Sequence, residues 1–382
     1  MKSISRVTRK FIYALLFLAP TSVFSEASDY NMPVGVTEVS KEIFDLHMLI
    51  MWICVWIGVV VFGIMFYSLF KYRKSAGAKA SKIDDHFWLE IIWTVAATVI
   101  LVGMAIPSTT VMIKAYDDRE GDINIMVTGY QWKWQYKYLE DDISFFSNLS
   151  TTQEQIDNDS PKGEFYLTEV DEPLVIPINK KIRFLITGND VIHSWWVPDF
   201  AVKQDAVPGF INTAWTNVPK PGIYRGACTE LCGIKHAFMP VVVRAVEQEE
   251  YDAWVVEKIA LAEAEKLLTE KVWTKEELVE RGQGVYLKNC VACHQANGQG
   301  LPPVFPALVG SEIVMRDKTR NIEILMEGVQ GAAMQSFANQ LSEVDMASVI
   351  TYTRQSWSNR KNGDGEIIIP KDIVDYKNKV DL

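Results

Sequence analysis

Long uncharged runs, then short runs of period two, then a stretch of helical period follow one another along the chain. The first apolar run, Phe11 to Phe24, follows Lys2, Arg6, Arg9 and Lys10 and precedes Ser25-Glu26-Ala27, so residues 1–27 read as a signal peptide. Its 14 residues are short for a membrane anchor, which takes about 20 as a helix. Met48 to Phe70 and Ile91 to Ile113 are long enough and carry no charge, which predicts a transmembrane hairpin over residues 28–116. Lys71, Arg73, Lys74, Lys79 and Lys82 lie between the two spans and place that connection in the cytoplasm. Both ends of the processed chain then face outward. Cys54 inside the first span reads as a small buried apolar residue, and Glu90 lies at the membrane edge of the second.

Past the hairpin the pattern becomes that of strands. Ile123 to Gly129, Leu174 to Ile178, Ile182 to Thr187 and Pro240 to Ala245 alternate or run apolar between Gly, Pro, Asn and Asp signals, predicting an all-β domain over residues 117–246. Within it, Leu139 to Glu172 carries ten acidic residues and one basic one and reads as a solvated insertion. From Glu247 the chain turns to Glu, Ala, Lys and Leu at helical spacing, giving a helical linker over 247–273. Thr274-Lys-Glu-Glu277 has the form of a capping box and opens a small all-α domain over 274–360, in which Ser342-Glu-Val-Asp345 caps a last helix. Residues 361–382 read as a polar tail, and no internal repeat is found.

Charge narrows the function. The formal net charge is −10, and removing residues 1–27 takes away four basic and one acidic side chain and moves it to −13. Such a chain is a poor partner for nucleic acid.

Chemistry concentrates in two places. Cys228-Thr-Glu-Leu-Cys232-Gly-Ile-Lys-His236-Ala-Phe-Met239 puts two thiols, an imidazole and a thioether into twelve residues, and His193 can join them from another loop. These soft ligands favour copper. A mononuclear site needs one cysteine; a second thiolate can bridge two copper ions, which suits an electron relay. The alternative is a disulfide, the ordinary state of paired cysteines in an oxidising compartment, though it leaves His193, His236 and Met239 unexplained.

Cys290-Val-Ala-Cys293-His294 is the Cys-x-x-Cys-His pattern of covalent c-type haem attachment, with His294 as an iron ligand. A zinc or dithiol site is the alternative, but no second Cys/His pair follows to complete four zinc ligands. Met334 is the candidate sixth iron ligand because it sits in a glycine-bearing loop, whereas Met315, Met326 and Met346 fall in helical stretches as core filler.

With these residues in place, the chain resembles subunit II of a haem-copper cytochrome c oxidase with a cytochrome c domain fused at its C-terminus. Signal, helical hairpin, all-β module and haem module follow that family's order, and Gly129-Tyr-Gln-Trp132-Lys-Trp134 and Lys203-Gln-Asp205-Ala-Val-Pro208-Gly209 resemble two of its motifs. The resemblance implies a multidomain membrane protein whose β domain is cupredoxin-like. It implies a dinuclear copper A centre held by His193, Cys228, Cys232, His236, Met239 and the Glu230 carbonyl, with the Glu230 side chain reaching a magnesium ion shared with subunit I. Trp132 would be the point where electrons enter, and Glu90 would match the mouth of a proton channel in subunit I. Two departures stand out: Tyr130 replaces the commoner histidine near Trp132, and Gln335 follows Met334 where proline is common.

The implied function is that of the electron-transfer subunit of a proton-translocating terminal respiratory oxidase in the bacterial inner membrane. This multi-pass chain would carry its copper and haem domains on the periplasmic side and pass electrons from a donor, through haem c and copper A, to the subunit I that reduces dioxygen to water. Subunit III, a cytochrome c or other periplasmic donor, and membrane lipid are the further partners. The linker would supply effective concentration by tethering the haem module to its acceptor. A copper-containing nitric oxide reductase subunit and a membrane-held copper-delivery protein are the competing readings; the two spans argue against a nitrous oxide reductase.

Overall fold

The computed structural model describes residues 31–79, 85–117 and 119–380; the expected signal peptide, residues 1–27, and Lys82 lie outside the described residues. Two long helices come first, α1 (Glu38–Lys71) and α2 (Phe87–Ala115). Thr37 caps α1 by accepting the Ser40 amide at 3.0 Å, and the His86 ring caps α2 by accepting the Leu89 amide at 3.3 Å. Both overrun the uncharged spans and present large apolar side chains outward, with Trp56 64% and Ile106 68% exposed. Apolar surface of this extent needs a cover, and both helices exceed the roughly 20 residues that cross a bilayer. Their outer ends are fastened to the next domain. Lys114 Nζ bonds Glu38 and Glu42 at 2.6 Å each, the Trp215 indole donates to the Lys114 carbonyl at 3.0 Å, and the Val36 amide donates to Asp199 at 2.9 Å.

The second unit is a sandwich of two five-stranded sheets, ordered β3-β2-β1-β5-β8 and β4-β10-β9-β6-β7. The first contains β1 (Ile123–Tyr130), β2 (Lys133–Tyr138), β3 (Ile143–Ser147), β5 (Ile182–Gly188) and β8 (Asn212–Thr216). The second contains β4 (Leu174–Pro177), β6 (His193–Val197), β7 (Val202–Ala206), β9 (Gly222–Cys228) and β10 (Pro240–Val246). β1 and β5 run parallel in a register that pairs Ile125 with Phe184 and Val127 with Ile186. Period-two patterning therefore turns Ile125, Val127, Ile182, Phe184 and Ile186 to one face, where all are buried. The acidic stretch is less loop-like than expected, because Ile143–Ser147 pairs with β2.

The helix after the sandwich, α3 (Gln248–Leu268), is docked at both ends. Tyr251 and Trp254 are buried against the sandwich, with the Tyr138 and Trp254 ring centroids 5.1 Å apart, and Lys258 pairs with Glu172. Near its other end Glu265 accepts from Arg281 at 2.5 Å and from the Ser342 hydroxyl at 2.9 Å, both in the C-terminal domain. A loose tether does not describe it.

The C-terminal domain is helical, built on α4 (Lys275–Asn289), α5 (Lys318–Glu327), α6 (Glu343–Gln355) and α7 (Pro370–Val380). Thr274 and Glu277 form the expected capping box, and Ser342 caps α6 through the Asp345 amide. α4 and α6 cross where Gly282 faces the Ser348 carbonyl; a Cβ at 282 would stand 2.0 Å from that oxygen. Tyr286, Tyr352 and Trp357 fill the crossing with ring centroids 5.3 to 5.8 Å apart.

The polar tail expected over 361–382 is corrected by the structure. Ile368 and Ile373 are fully buried with Met346, Val349 and Ile350, and the Thr351 hydroxyl both accepts the Ile368 amide at 2.8 Å and donates to its carbonyl at 3.0 Å. Two apolar side chains in a charged segment are enough to dock it, because each fully buried isoleucine contributes about 1.5–3 kcal/mol.

Candidate metal centres

Strand pairing assembles the first centre. His193 opens β6 and Cys228 ends β9; the two strands pair with Trp195 opposite Cys228, and the loop after β9 returns to β10 directly after Met239. One end of the second sheet thus collects His193, Cys228, Cys232 and Met239, all buried, with His236 half-buried beside them. Gly129 makes room, since a Cβ there would lie 2.7 Å from the His193 ring.

The cysteines are free, with their sulfurs 3.8 Å apart, so the disulfide alternative is not formed. The ligand atoms of His193, Cys228 and Cys232 all lie within 4.8 Å of one another. His236 Nδ1 stands 3.6 Å from Cys232 Sγ, and the Glu230 carbonyl 3.4 Å from Cys228 Sγ. His193 Nε2 is held by Asp190 Oδ1 at 2.8 Å, while its Nδ1 is buried with no partner. An unpaired buried nitrogen costs about 1–3 kcal/mol, and a metal at the thiol pair removes that cost. Thiolate, imidazole and thioether donors fit copper.

Electrostatics agree with a cation site. The neighbouring Cys232 thiol, then the nearby His193 ring and two backbone groups, outweigh burial and lower the Cys228 thiol to about 3. Cys232 is pushed well up by the neighbouring Cys228 and by burial. The pair therefore gives up one proton readily and holds the other until a cation offsets the second thiolate. Burial draws His193 down, but Asp190 and Cys228 outweigh it and raise it above 6.5.

The second centre is set by a helix end. α4 stops at Asn289, and a single turn, Val291–His294, carries Cys293 and His294, with Cys290 as its cap. The His294 Nδ1 lies 3.0 Å from the Pro306 carbonyl, which fixes the ring and leaves Nε2 for a metal. Burial lowers His294 below 6.5, with the Pro306 contact opposing, and so favours the neutral form that ligates. Met334 lies in a loop that Gly328 closes at φ +75°, where a Cβ would meet the Met334 carbonyl at 2.7 Å. It is half-buried and packs with Cys290 and Val291 on one apolar cluster. Met315, Met326 and Met346 are buried on helices. Two free thiols one turn apart with a backbone-fixed imidazole beside them fit a covalently held haem.

The remaining candidates are placed as follows. The Trp132 indole donates to the Cys232 carbonyl at 3.1 Å, and the Gln131 amide donates to the same oxygen at 2.8 Å. Trp132 thus touches the copper loop directly. The Glu230 side chain is exposed, and Glu90 is exposed in the first turn of α2.

Sequence reasoning missed Asp190 and Gln131. Asp190 holds His193 through one oxygen and the Gln131 backbone amide through the other, both at 2.8 Å. Its signal was a carboxylate three residues before a histidine, in the turn that precedes a strand.

Residues 123–246 match the family described as cytochrome C oxidase subunit II, periplasmic domain; residues 25–111 match its transmembrane domain; residues 277–352 match the family described as cytochrome C oxidase, cbb3-type, subunit III. A probable cytochrome c oxidase subunit 2 of Rickettsia bellii is 38% identical over 224 residues, which is 59% of this chain and 82% of the relative. Cytochrome c oxidase subunit 2 of Cereibacter sphaeroides is 36% identical over 235 residues, 58% of this chain and 77% of the relative. Among solved structures, the periplasmic domain of subunit II of cytochrome oxidase (CoxB) of Bradyrhizobium japonicum is 38% identical, with 37% of this chain and 97% of that one covered at a TM-score of 0.34. Two membrane-spanning helices, a periplasmic sandwich and a helical domain joined in this order place the chain in the cytochrome c oxidase subunit II family, as a member extended at its C-terminus by a cytochrome c domain and as part of a terminal oxidase.

Proposed function

We propose that this chain receives electrons from a periplasmic donor and delivers them to the haem-copper subunit I, where dioxygen becomes water. The buried His193 ring, whose Nδ1 has no partner and which brings a ligand atom within 4.8 Å of two free thiols, is the observation that carries this reading. Cys228, Cys232, His193, His236, Met239 and the Glu230 carbonyl would hold a pair of copper ions. Cys290 and Cys293 would hold haem c by thioether links, with His294 and Met334 as donors to its iron. When bound, these groups supply reversible one-electron redox chemistry.

The chain's own residues do the rest. Asp190 keeps the His193 ring turned so that Nδ1 faces the thiols, and burial of the site excludes water from them. The Glu230 carboxylate, exposed beside the copper loop, would reach a magnesium ion shared with subunit I. Trp132, bonded to the Cys232 carbonyl, is the candidate contact for electrons arriving at that loop. Glu90, exposed at the membrane edge, would meet subunit I at a proton channel mouth. The basic connection would lie in the cytoplasm, which would put the copper and haem domains on the periplasmic side of an inner membrane that the chain crosses twice. Subunit III and lipid would cover the apolar helices.

The test is purification with subunit I in mild detergent, followed by metal analysis and reduction by a periplasmic cytochrome c. Haem absorbance should change before the near-infrared band of the copper pair, at a rate for the second phase that does not depend on protein concentration. A near-infrared change that comes first and is blocked in Trp132→Gln would show that the donor bypasses the C-terminal domain.

A further inference from the structure

Among the described residues, three polar links join the sandwich to residues 275–380: Lys133 Nζ to Asn289 Oδ1 at 2.7 Å, Asn189 Nδ2 to Gln335 Oε1 at 3.4 Å, and Lys288 Nζ to Asp171 Oδ2 at 3.6 Å. Their positions are not scattered. Lys133 follows Trp132 and Asn289 precedes Cys290; Gln335 follows Met334 and Asn189 precedes Asp190, the carboxylate that holds His193.

The three links differ in strength. Asn189 with Gln335 and Lys288 with Asp171 are open to water, where such contacts contribute about 0–1 kcal/mol. Lys133 is 6% exposed, its ammonium 4.3 Å from the centre of the Phe146 ring and 5.9 Å from that of Phe337. Phe146 belongs to the sandwich and Phe337 to the loop after Met334, so the one cation is lodged between the two domains. A buried ammonium needs hydrogen-bond acceptors, and the acceptor of Lys133, the neutral side-chain carbonyl of Asn289, is in the other domain. Separation of the domains would leave the Asn289 amide and Phe337 without it.

We propose that Lys133 is a positioning residue that seats the cytochrome c domain against Lys133 and Phe146 of the copper domain, making the two modules a fixed pair. The proposal rests on the function given above for the two centres, and it goes further in replacing a swinging tether by a seat. It also gives the departure at Gln335 a use, since a proline there would have no amide for Asn189.

The test uses the full chain in detergent with its cofactors. Hydroxyl-radical oxidation of Phe146 and Phe337, the rings on either side of the Lys133 ammonium, reads how well the seat is closed, and one-electron transfer between the domains after pulse reduction reads how well it is aligned. Lys133→Met should raise oxidation of both rings severalfold and slow the transfer severalfold, because the distance between the two centres would no longer be fixed. The copper near-infrared band and the haem spectrum should stay as they are. Lys133→Arg, which keeps a cation between the Phe146 and Phe337 rings, should leave both readouts near those of the unmodified chain. Unchanged oxidation and transfer in Lys133→Met would overturn the proposal, and so would a copper band shifted alike in Lys133→Met and Lys133→Arg, which would assign Lys133 to shaping the loop that follows Cys228. A chain that binds neither copper nor haem would defeat the functional reading through its spectra alone, while oxidation of Phe146 and Phe337 would still report on the seat.

Discussion

Asp190 Oδ1 and His193 Nε2 are 2.8 Å apart, three residues apart in sequence and both shielded by the sandwich. This contact decides which ring nitrogen faces the thiols. A carboxylate behind a ligating imidazole fixes its tautomer and raises its basicity, and losing such a partner lowers metal affinity about 10–100-fold. Asp190→Ala should therefore weaken copper retention by that factor in competition with a chelator. Asp190→Asn, which keeps a hydrogen-bonding side chain, should fall between the two. Equal retention by Asp190→Ala and the unmodified chain would remove Asp190 from the site.

The thiols themselves should behave differently from the other donors. If both thiolates bridge two coppers, either Cys228→Ser or Cys232→Ser should abolish the mixed-valence near-infrared band while haem absorbance persists. Met239→Leu should shift the band without abolishing it, because a terminal thioether tunes a site that the thiolates build. A band that survives either cysteine substitution would contradict bridging.

These residues were legible because soft donors in one short loop have few other uses. β1 and β5 were legible because apolar side chains at period two leave one face apolar, and β4 and β10 because each holds a short apolar run buried on both faces. β6 was not, because Trp195 and Trp196 interrupt alternation in His193-Ser-Trp-Trp-Val, and its place is fixed by pairing with β9. Asp190 and Lys133 were hidden because their partners arrive from other elements, at Gln131 and Asn289. Ile368 and Ile373 were hidden by composition, since the charge around them outweighed two apolar positions.

The haem reading is tested at its attachment and its sixth ligand. Cys290→Ser with Cys293→Ser should yield a chain with no haem stain on a denaturing gel, since the covalent links are absent. Met334→Ala should keep the stain and lower the midpoint potential, because thioether ligation raises it. An unchanged potential would move the assignment elsewhere. Met315 is buried on a short helix, 5% exposed, and would be tested next.

Gly282 should be intolerant of any side chain. A Cβ 2.0 Å from the Ser348 carbonyl forces α4 and α6 apart along the whole crossing. Overpacking of this kind costs about 1–3 kcal/mol, so Gly282→Ala should lower the calorimetric transition of the helical domain while that of the sandwich stays in place. A common shift of both transitions would mean that the two domains unfold as one unit.

The C-terminal helix makes the last prediction. α7 is held by Ile373 in the core, by Tyr376 donating to Glu327 at 2.6 Å and by Lys377 donating to Glu343 at 2.7 Å. Ile373→Ala removes buried methylenes and should cost about 2–5 kcal/mol in the helical domain. The ion pair adds a pH dependence. Partial burial raises the Glu343 carboxyl, but the Lys377 ammonium and a backbone N–H outweigh it and hold it below its usual 4.5. Because the folded value lies below the unfolded one, the stabilisation is complete above 4.5 and fades as pH falls through the folded value. The pair is partly exposed, so its loss should be worth about 1 kcal/mol or less. Acidification from pH 6 should therefore speed amide exchange in residues 370–380 before it affects α4 and α6, and Lys377→Met should flatten that response. Equal acid sensitivity in Lys377→Met and the unmodified chain would place the pH-dependent contact elsewhere, with Tyr376 and Glu327 the next pair to break.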